Sequence, residues 1–237
     1  MAIEEKKVVV LQSNYLPWKG YFDLISRADL FIFYDDVQFT KNDWRNRNKI
    51  KTPRGTEWIS IPCGTDLKRL IREVEIIDKD WQKDHWNRIA IHYAKANYFN
   101  EYKDFFKDFY LNQLWKNLSQ LNQYLIMGIA KQFLNLNTSF GQSHDYHPEG
   151  VRLDRLMNVL KKAGATEYIS GTAAKSYISD DYFLKENIKL TWIDYSNYPE
   201  YRQLYPPFVH EVSIIDLIFN EGPDSIRYLR PSKSEVK

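Results

Sequence analysis

Basic and amide side chains alternate in one short stretch of this sequence, and their types suit the binding of an anion. Six cations lie between positions 41 and 54, interrupted by a single acid: Lys41, Arg45, Arg47, Lys49, Lys51 and Arg54. In an extended segment the cations of residues 45–49 would share one face, and Asn46 and Asn48 the other. Guanidinium groups bind phosphate oxygens in a bidentate manner. The stretch therefore predicts an anion site, with a solvated loop as the competing interpretation.

Aromatic residues are unusually frequent, and two tryptophans lie beside the polar segments. Aromatic residues make up 16% of the chain, with 17 Tyr, 13 Phe and 7 Trp. Most of them are expected to fill the core, but aromatic rings also line ligand clefts. Trp44 lies inside the basic stretch and Trp18 follows the first apolar run. Both are candidates for stacking on a sugar or a base.

An acidic pair, Asp35 and Asp36, ends the second apolar run of the chain. Carboxylates in such a position hold a divalent cation or act as a general base. Adjacent residues of an extended strand point to opposite faces, so at most one of the two would face a common ligand. Capping of a turn at the strand end is the competing interpretation.

The elements that must position these side chains are predicted from the apolar pattern. Short runs rich in Val, Ile and aromatic residues predict strands, and the first two strands with the helix between them form a βαβ unit. We therefore expect an α/β fold with a mostly parallel, Rossmann-like sheet, flanking helices and a helical subdomain. The predicted strands cover residues 7–12, 29–36, 58–62, 73–78, 167–170 and 188–195.

Helical periodicity dominates the middle of the chain and returns near its end. A break is expected near Ser119, a linker over 135–150 and a frayed tail over 231–237. Gly222 is expected to cap the last helix. The predicted helical stretches are 21–28, 81–136, 151–165 and 213–222. The predicted division is an N-terminal α/β half over 1–80, a helical subdomain over 81–140 and a C-terminal α/β half over 149–230 that completes the same domain.

Three loops are selected by the rule that open parallel sheets bind ligands beyond the carboxyl ends of their strands. The first loop begins Gln12-Ser13-Asn14-Tyr15, the second holds the acidic pair, and the third is Ser170-Gly171-Thr172. In the third, a glycine lets a phosphate approach the backbone closely. A glycine required only by the tight turn is the competing interpretation.

Composition and charge limit the classes of partner. The net charge of +2 gives no strong field toward nucleic acid or a membrane. The apolar run near the N-terminus follows acids, and no apolar stretch reaches the roughly 20 residues that span a bilayer. We therefore expect a cytoplasmic protein without membrane insertion. His85 and His92 are too far apart along one helix to share a metal, and at His144 and His147 a solvated loop is favoured over a metal site. No nucleotide-binding or hydrolase motif occurs, so the sequence predicts no metal and names no cofactor.

The segment Gln12 to Phe22, QSNYLPWKGYF, resembles the N-terminal signature of WbqC-like proteins. It departs from that signature at Ser13, where the family pattern has proline. Three further segments agree in order: DLFIFYDDVQFTKNDWRNRNKIK, EYISGTAAKSYI and FVHEVSIIDLIFNEG. The resemblance spans nearly the whole chain. The polar positions that match are Gln12, Asn14, Tyr15, Asp35, Asp36, Asn46, Arg47, Asn48, Ser170, Gly171, His210 and Asp216.

The resemblance implies a transferase of bacterial surface-polysaccharide biosynthesis, such as that of O-antigen and lipopolysaccharide. The favoured reaction is acyl or aminoacyl transfer to the amine of a nucleotide-linked amino sugar, so the implied partners are that nucleotide sugar and an activated acyl or aminoacyl donor. Asp35, Asp36 or His210 would take the proton from the amine. The expected substrate-binding residues are Gln12, Asn14, Tyr15, Trp18, Trp44, Arg45, Asn46, Arg47, Asn48, Lys49, Ser170 and Gly171.

Two other functions stay open at the level of the sequence. One is a metal-dependent glycosyltransferase in which Asp35 and Asp36 hold the metal against a sugar diphosphate. The other is a non-catalytic RNA-binding or adaptor protein that uses the basic, aromatic stretch. The small net charge disfavours nucleic acid as a partner without removing it.

Overall fold

The computed structural model describes residues 5–176, 178 and 180–230. Within them the strands form two sheets, and the larger has the order β5-β2-β1-β6-β7 with every neighbouring pair parallel. This confirms the predicted α/β fold with a mostly parallel sheet. The strands are β1 (Lys7–Leu11), β2 (Leu30–Phe33), β3 (Arg47–Thr52), β4 (Gly55–Ser60), β5 (Ser139–Gln142), β6 (Glu167–Ser170) and β7 (Lys189–Trp192).

Helices cover both faces of the parallel sheet, which is why its central strands are apolar on both sides. The last helix ends at Gly222, with φ 53°, as predicted. The helices are α1 (Lys19–Arg27), α2 (Asp80–Tyr93), α3 (Phe99–Leu111), α4 (Leu118–Gly128), α5 (Arg152–Lys162), α6 (Asp180–Lys185) and α7 (Ile214–Glu221).

Alternate residues of β1 and β2 belong to two separate hydrophobic clusters. Val9 and Phe31 pack into the larger cluster, with α1, α2, α3, α4 and α7. Val8 and Ile32 pack into the smaller cluster, with α5 and α6. The period of two along a strand places these residues on opposite faces. Most of the aromatic residues lie in the larger cluster, as expected for an aromatic-rich core.

A β-hairpin of β3 and β4 forms the second sheet and packs against the helices of the larger cluster. The Ser213 N–H donates to the Lys49 carbonyl at 2.8 Å, and the Lys51 N–H donates to the Tyr93 hydroxyl at 2.9 Å. The sequence predicts a strand over 58–62 here and assigns no strand to the basic stretch. That prediction missed β3, because charged residues conceal the alternation that Ile50 and the buried asparagine of β3 provide.

Two predicted elements are wrong, and the helical break predicted near Ser119 lies close to an observed one. Residues 73–78 form no strand but only an isolated bridge between Glu75 and Asn117. The predicted linker contains β5, an edge strand whose short, polar sequence lacks an apolar run. The helical break falls over residues 112–117, and Ser119 lies in the first turn of α4. The predicted frayed tail over 231–237 lies outside the described residues.

No helix in the described part of the chain combines the length and the apolar character needed to cross a membrane.

Candidate functional site

The parallel sheet is split between β1 and β6 at its carboxyl end. These two strands pair only at Lys7 with Glu167 and Val8 with Tyr168, whereas β1 and β2 pair over four residues. The chain leaves β1 toward β2 on one side of this split, and β6 toward β7 on the other. Such a point, where successive connections diverge, is where open α/β sheets bind their ligands.

A cleft of about 1180 Å³ opens between the two strand tips. This volume exceeds the roughly 300–1,000 Å³ of an ordinary small-ligand pocket. Its lining combines an apolar floor from the strands with polar groups from distant segments. The polar and aromatic lining residues are Gln12, Asn14, Tyr34, Trp44, Arg45, Arg152, Arg155, Tyr168, Ser170, Thr172 and Tyr195, and Gly171 lies among them. We call this set and the floor beneath it the cleft.

Asn14 and Gln12 reach the cleft because the loop after β1 is fixed at several points. The Ser13 N–H donates to Asp35 Oδ1 at 2.8 Å, and the Tyr15 N–H donates to the Trp44 carbonyl at 2.9 Å. Asn14 Oδ1 is buried and has no hydrogen-bond partner in the described chain. Buried polar atoms are normally paired, so this oxygen is a group that a ligand would satisfy.

Asp35 lies beneath the cleft and not in it. Its carboxylate is 3% exposed and accepts three groups: the Ser13 N–H, the Ser119 hydroxyl at 2.5 Å and the Gln123 amide at 3.0 Å. These bonds join the loop after β1 to α4. The contacts give Asp35 a structural role, and its predicted role as a base or metal ligand has no support from its surroundings.

Asp36 positions one of the cationic side chains of the cleft. Its Oδ2 lies 2.5 Å from Arg155 Nη2, and the Ser143 hydroxyl donates to its Oδ1. The Arg155 Nη1 group donates to the Pro148 carbonyl at 2.7 Å, which fixes the guanidinium from a second side. Asp36 is 8% exposed. These contacts indicate that Asp36 orients Arg155 and does not itself contact a ligand.

Two further arginines line the cleft from opposite sides. Arg45 Nη1 lies 3.3 Å from Asp43 Oδ2, while its Nε is buried without a partner in the described chain. Arg152 begins α5 with a φ of 50°, a strained conformation for a residue with a Cβ, and its side chain is exposed. Strain of this kind persists where the surroundings impose it, often at functional sites. Together with Arg155, these side chains give the cleft a cationic lining.

The tip of β6 narrows the cleft at Gly171. A Cβ on this glycine would lie 2.8 Å from the Tyr195 hydroxyl, so the missing side chain admits the tyrosine. Ser170 is 5% exposed, and its hydroxyl lies 3.5 Å from the Gly171 carbonyl. Burial raises the pKa of the Tyr195 hydroxyl, which therefore stays protonated at neutral pH. Gly171 is required here for a close side-chain approach.

A smaller pocket of about 250 Å³ adjoins the cleft on the β3–β4 hairpin. We call it the tryptophan pocket and define it by its lining residues: Asn42, Asp43, Trp44, Arg47, Lys49 and Trp58. Trp44 lines both the pocket and the cleft. The Arg47 guanidinium lies 4.3 Å from the centre of the Trp58 ring, and Lys49 Nζ lies 5.2 Å from it.

The basic stretch is therefore divided between two sites. The predicted alternation holds, since Asn46 and Asn48 are buried while the three cations of residues 45–49 are half-buried. A turn over residues 44–46 points Arg45 toward the cleft, and β3 carries Arg47 and Lys49 to the tryptophan pocket. The three cations were predicted to bind one anion together, but this turn separates Arg45 from Arg47 and Lys49.

Three other predicted substrate-binding residues hold the structure together. Tyr15 is fully buried, and its hydroxyl bonds His85 Nδ1 at 2.9 Å and the Tyr110 hydroxyl. The Asn46 amide donates to the Ile61 carbonyl at 3.0 Å. The Asn48 amide donates to the Leu16 carbonyl at 2.7 Å. None of the three lines the cleft, although the contacts of Tyr15 and Asn48 fix the loop after β1.

Trp18 and His210 also lie away from the cleft. Trp18 packs against Tyr195 at a ring-centre distance of 5.3 Å, and a side chain on Gly20 would overlap its ring. His210 packs edge-on against Phe208 at 4.6 Å. Burial and the nearby Lys19 ammonium lower the pKa of His210. Trp18 supports one wall of the cleft, and the predicted role of His210 as a base stays a prediction.

Sequence reasoning missed the two arginines of α5. Arg152 and Arg155 are three residues apart, a spacing that places them on one face of a helix. That spacing was visible, but the preceding segment was interpreted as a linker, so nothing connected α5 with the tips of the sheet. The hidden edge strand β5 makes this connection.

Comparison with known proteins places the chain in a family. A sequence model of the WbqC-like protein family matches residues 12–228. The chain belongs to the WbqC-like protein family. It is also 44% identical to an uncharacterized protein of Mycobacterium tuberculosis over 230 residues, which is 95% of this chain and 99% of that protein. No solved structure matches the chain. The family match confirms the resemblance inferred from the loop after β1 and the segments that follow it.

Proposed function

We propose that this WbqC-like protein is a transferase that moves an acyl or aminoacyl group to the amine of a nucleotide-linked amino sugar held in the cleft. The observation that carries the proposal is the cationic cleft of about 1180 Å³ at the split between β1 and β6. Its volume suits an acceptor and a donor together. The role in bacterial surface-polysaccharide biosynthesis belongs to the same proposal.

The charge of the cleft supports a phosphorylated substrate. Arg45, Arg152 and Arg155 line it, and no carboxylate does among the described lining residues. Guanidinium groups bind the oxygens of a diphosphate in pairs, and such charge-assisted bonds are stronger than neutral ones. The unpaired Arg45 Nε and Asn14 Oδ1 offer a donor and an acceptor to the same ligand.

The same charge favours the reactive form of the acceptor. Positive neighbours disfavour an ammonium ion, so the amine of a bound amino sugar would be held in its neutral, nucleophilic form. In the transfer, its nitrogen forms a bond to the acyl carbon, the bond to the leaving group breaks, and the amine proton passes to the leaving group or to water. Gln12 and Asn14 at the tip of β1 line the cleft and are amide donors that can bind a developing oxyanion.

The contacts of the acidic pair disfavour a metal-dependent glycosyltransferase. Asp35 and Asp36 are both buried and already bonded to Ser119, Gln123, Ser143 and Arg155. A divalent cation between a diphosphate and these carboxylates would have to replace those bonds. The acyl-transfer proposal requires no such rearrangement.

Calorimetric titration of the purified protein with UDP- and dTDP-linked amino sugars tests the proposal. We expect binding of at least one of them, and a loss of about tenfold or more in affinity in Arg152→Gln, which removes one charged contact. Arg152 is exposed, so this variant should fold normally. Arg47→Gln is the matched control, because it removes an arginine from the tryptophan pocket and should leave the affinity unchanged.

Two outcomes contradict the proposal. One is the absence of binding by every nucleotide-linked amino sugar tested. The other is equal loss of affinity in Arg152→Gln and Arg47→Gln, which would place the nucleotide sugar outside the cleft. If binding is found, incubation with activated acyl and aminoacyl donors, followed by mass spectrometry of the sugar, tests the transfer itself.

A further inference from the structure

We infer that the tryptophan pocket is a second binding site, for a single acidic sugar residue such as a uronic acid at the end of a glycan. This site is separate from the cleft and does not depend on a reaction there. The inference rests on the exposure of two adjacent tryptophans, on two cations without acidic partners and on the polar groups at one side of the pocket.

Trp44 and Trp58 are 41% and 39% exposed, and their ring centres are 5.5 Å apart. A hairpin stabilised only by packing would bury these rings, because each leaves a large apolar area in water. Together they form an exposed aromatic surface on the hairpin, with an angle of 35° between the two ring planes. Such a surface suits the apolar face of a pyranose ring.

Arg47 and Lys49 lie over the Trp58 ring, and the register of the hairpin pairs Lys49 directly with Trp58. Neither cation forms an ion pair with any residue in the described ranges. The Nε of Arg47 is also buried without a partner there. Arg47 and Lys49 outnumber the one carboxylate of the pocket, that of Asp43, so the pocket has a net positive charge that favours a ring with an acidic group.

Two other lining residues of the pocket, Asp43 and Asn42, can bind the hydroxyl groups of a sugar. Asp43 accepts the Thr40 hydroxyl and the Trp44 N–H at 2.7 Å each, which holds its carboxylate at the rim. Asn42, in the turn just before Asp43, also lines the pocket and adds an amide. A carboxylate and an amide are both suited to hydrogen bonds with sugar hydroxyls. The volume of about 250 Å³ is suited to one sugar ring.

Because Trp44 lines both cavities, the tryptophan pocket lies next to the cleft in which the reaction is proposed. A glycan whose acidic residue binds in the tryptophan pocket would therefore have its next residue at the mouth of the cleft. The binding itself is independent of that relation and is tested alone.

The test follows the indole N–H signals of the full chain by NMR while galacturonate, galactose and uridine monophosphate are added separately. Trp44→Phe and Trp58→Phe assign the two signals. We expect galacturonate at millimolar concentration to shift both, and galactose to bind about tenfold more weakly because it lacks the charge. Trp58→Ala should abolish the effect, and Arg47→Gln should remove the preference for the acid.

Arg152→Gln is the control for location, since it alters the cleft and should leave galacturonate binding unchanged. The inference is overturned if galacturonate shifts neither signal, if galactose binds equally well, or if uridine monophosphate binds this pocket more tightly. Binding of single-stranded RNA with a steep salt dependence that is lost in Arg47→Gln would also overturn it, in favour of a nucleic-acid surface. Failure of nucleotide-sugar binding in the cleft leaves these results unaffected.

Discussion

The cleft and the tryptophan pocket share one side chain but are built in different ways. The cleft collects residues from the tips of β1, β2 and β6, from the turn before β3 and from α5. The pocket draws all its residues from positions 42–58, on one hairpin and the turn that precedes it. One site therefore depends on the packing of the whole molecule, and the other on local structure.

The two sites also hold their cations differently. Arg155 and Arg45 in the cleft are each held by a carboxylate, Asp36 and Asp43 respectively. The cations of the pocket lie over an aromatic ring instead. Asp36 is buried and fixes the Arg155 guanidinium in one direction, whereas a ring surface leaves a cation free to turn toward a ligand. The difference indicates a rigid, preorganised cleft and an adaptable pocket.

Removal of Asp35 is expected to have the largest effect, because it connects the loop of the cleft with α4. Asp35→Ala leaves the Ser13 N–H and the Ser119 hydroxyl buried without an acceptor and removes one of the acceptors of the Gln123 amide, and it should lower the free energy of unfolding by about 3 kcal/mol. Asp43→Ala, at the partly exposed rim of the pocket, should lower it by about 1 kcal/mol or less. Urea unfolding measures both values. Equal losses would contradict the proposed difference in rigidity between the two sites.

The buried network under the cleft predicts a dependence of stability on pH. Burial, and then the nearby Arg88 guanidinium, lower the pKa of His85 from 6.5 to about 3. The unfolded chain therefore binds a proton that the folded chain excludes, and stability present above pH 6.5 is lost as the pH falls toward 3. Between pH 7 and pH 5 this group should cost about 2 kcal/mol of the free energy of unfolding.

His85→Gln isolates that contribution, because glutamine keeps a partner for Tyr15 but does not titrate. The loss of stability between pH 7 and pH 5 should be about 2 kcal/mol smaller in this variant than in the natural chain. Burial raises the pKa of Asp216 to about 6. Its protonation therefore stabilises the folded chain as the pH falls, but it does so equally in both proteins. A parallel dependence in the two proteins would show that His85 is accessible to protons in the folded state.

A side chain at Gly171 should have an intermediate effect at the narrow part of the cleft. Gly171→Ala places a methyl group 2.8 Å from the Tyr195 hydroxyl, and displacement of that ring should cost about 1–2 kcal/mol of stability. Affinity for a nucleotide sugar should fall as well. Thr172→Ala, at the next and exposed position, should stay within about 0.5 kcal/mol of the natural chain. Thermal unfolding measures the stability, and calorimetry measures the affinity for a nucleotide sugar. If Gly171→Ala changed neither quantity, the close approach of Tyr195 to Gly171 would be contradicted.

The smallest effect on stability is expected in the tryptophan pocket. Trp58→Ala removes an exposed ring and its contacts with Arg47 and Lys49, so the free energy of unfolding should fall by about 1 kcal/mol or less. Urea unfolding gives the value. A loss of several kcal/mol would instead identify Trp58 as a core residue whose exposure serves no ligand.

The sequence by itself determined the fold class, the family and most of the helices. Apolar runs are local, and the period of two or 3.6 residues is visible without knowledge of partners, which is why β1, β2, β6, α5 and α7 were predicted near their observed bounds. The first loop was also identified, because the rule for strand tips requires only the end of a strand. β3 and β5 were missed, since polar residues conceal the apolar alternation of both strands.

Only the tertiary structure decided which candidate residues meet. Asp35 and Asp36 are buried by contacts with residues that are distant in sequence. Ser13 and Ser119 bond Asp35, and Arg155 bonds Asp36, over separations of 22 to 119 residues. The turn before β3 separates Arg45 from its neighbours, and β5 brings the arginines of α5 to the sheet. Spacing along a chain sets the direction of a side chain within one element, but the packing of elements sets what that side chain faces.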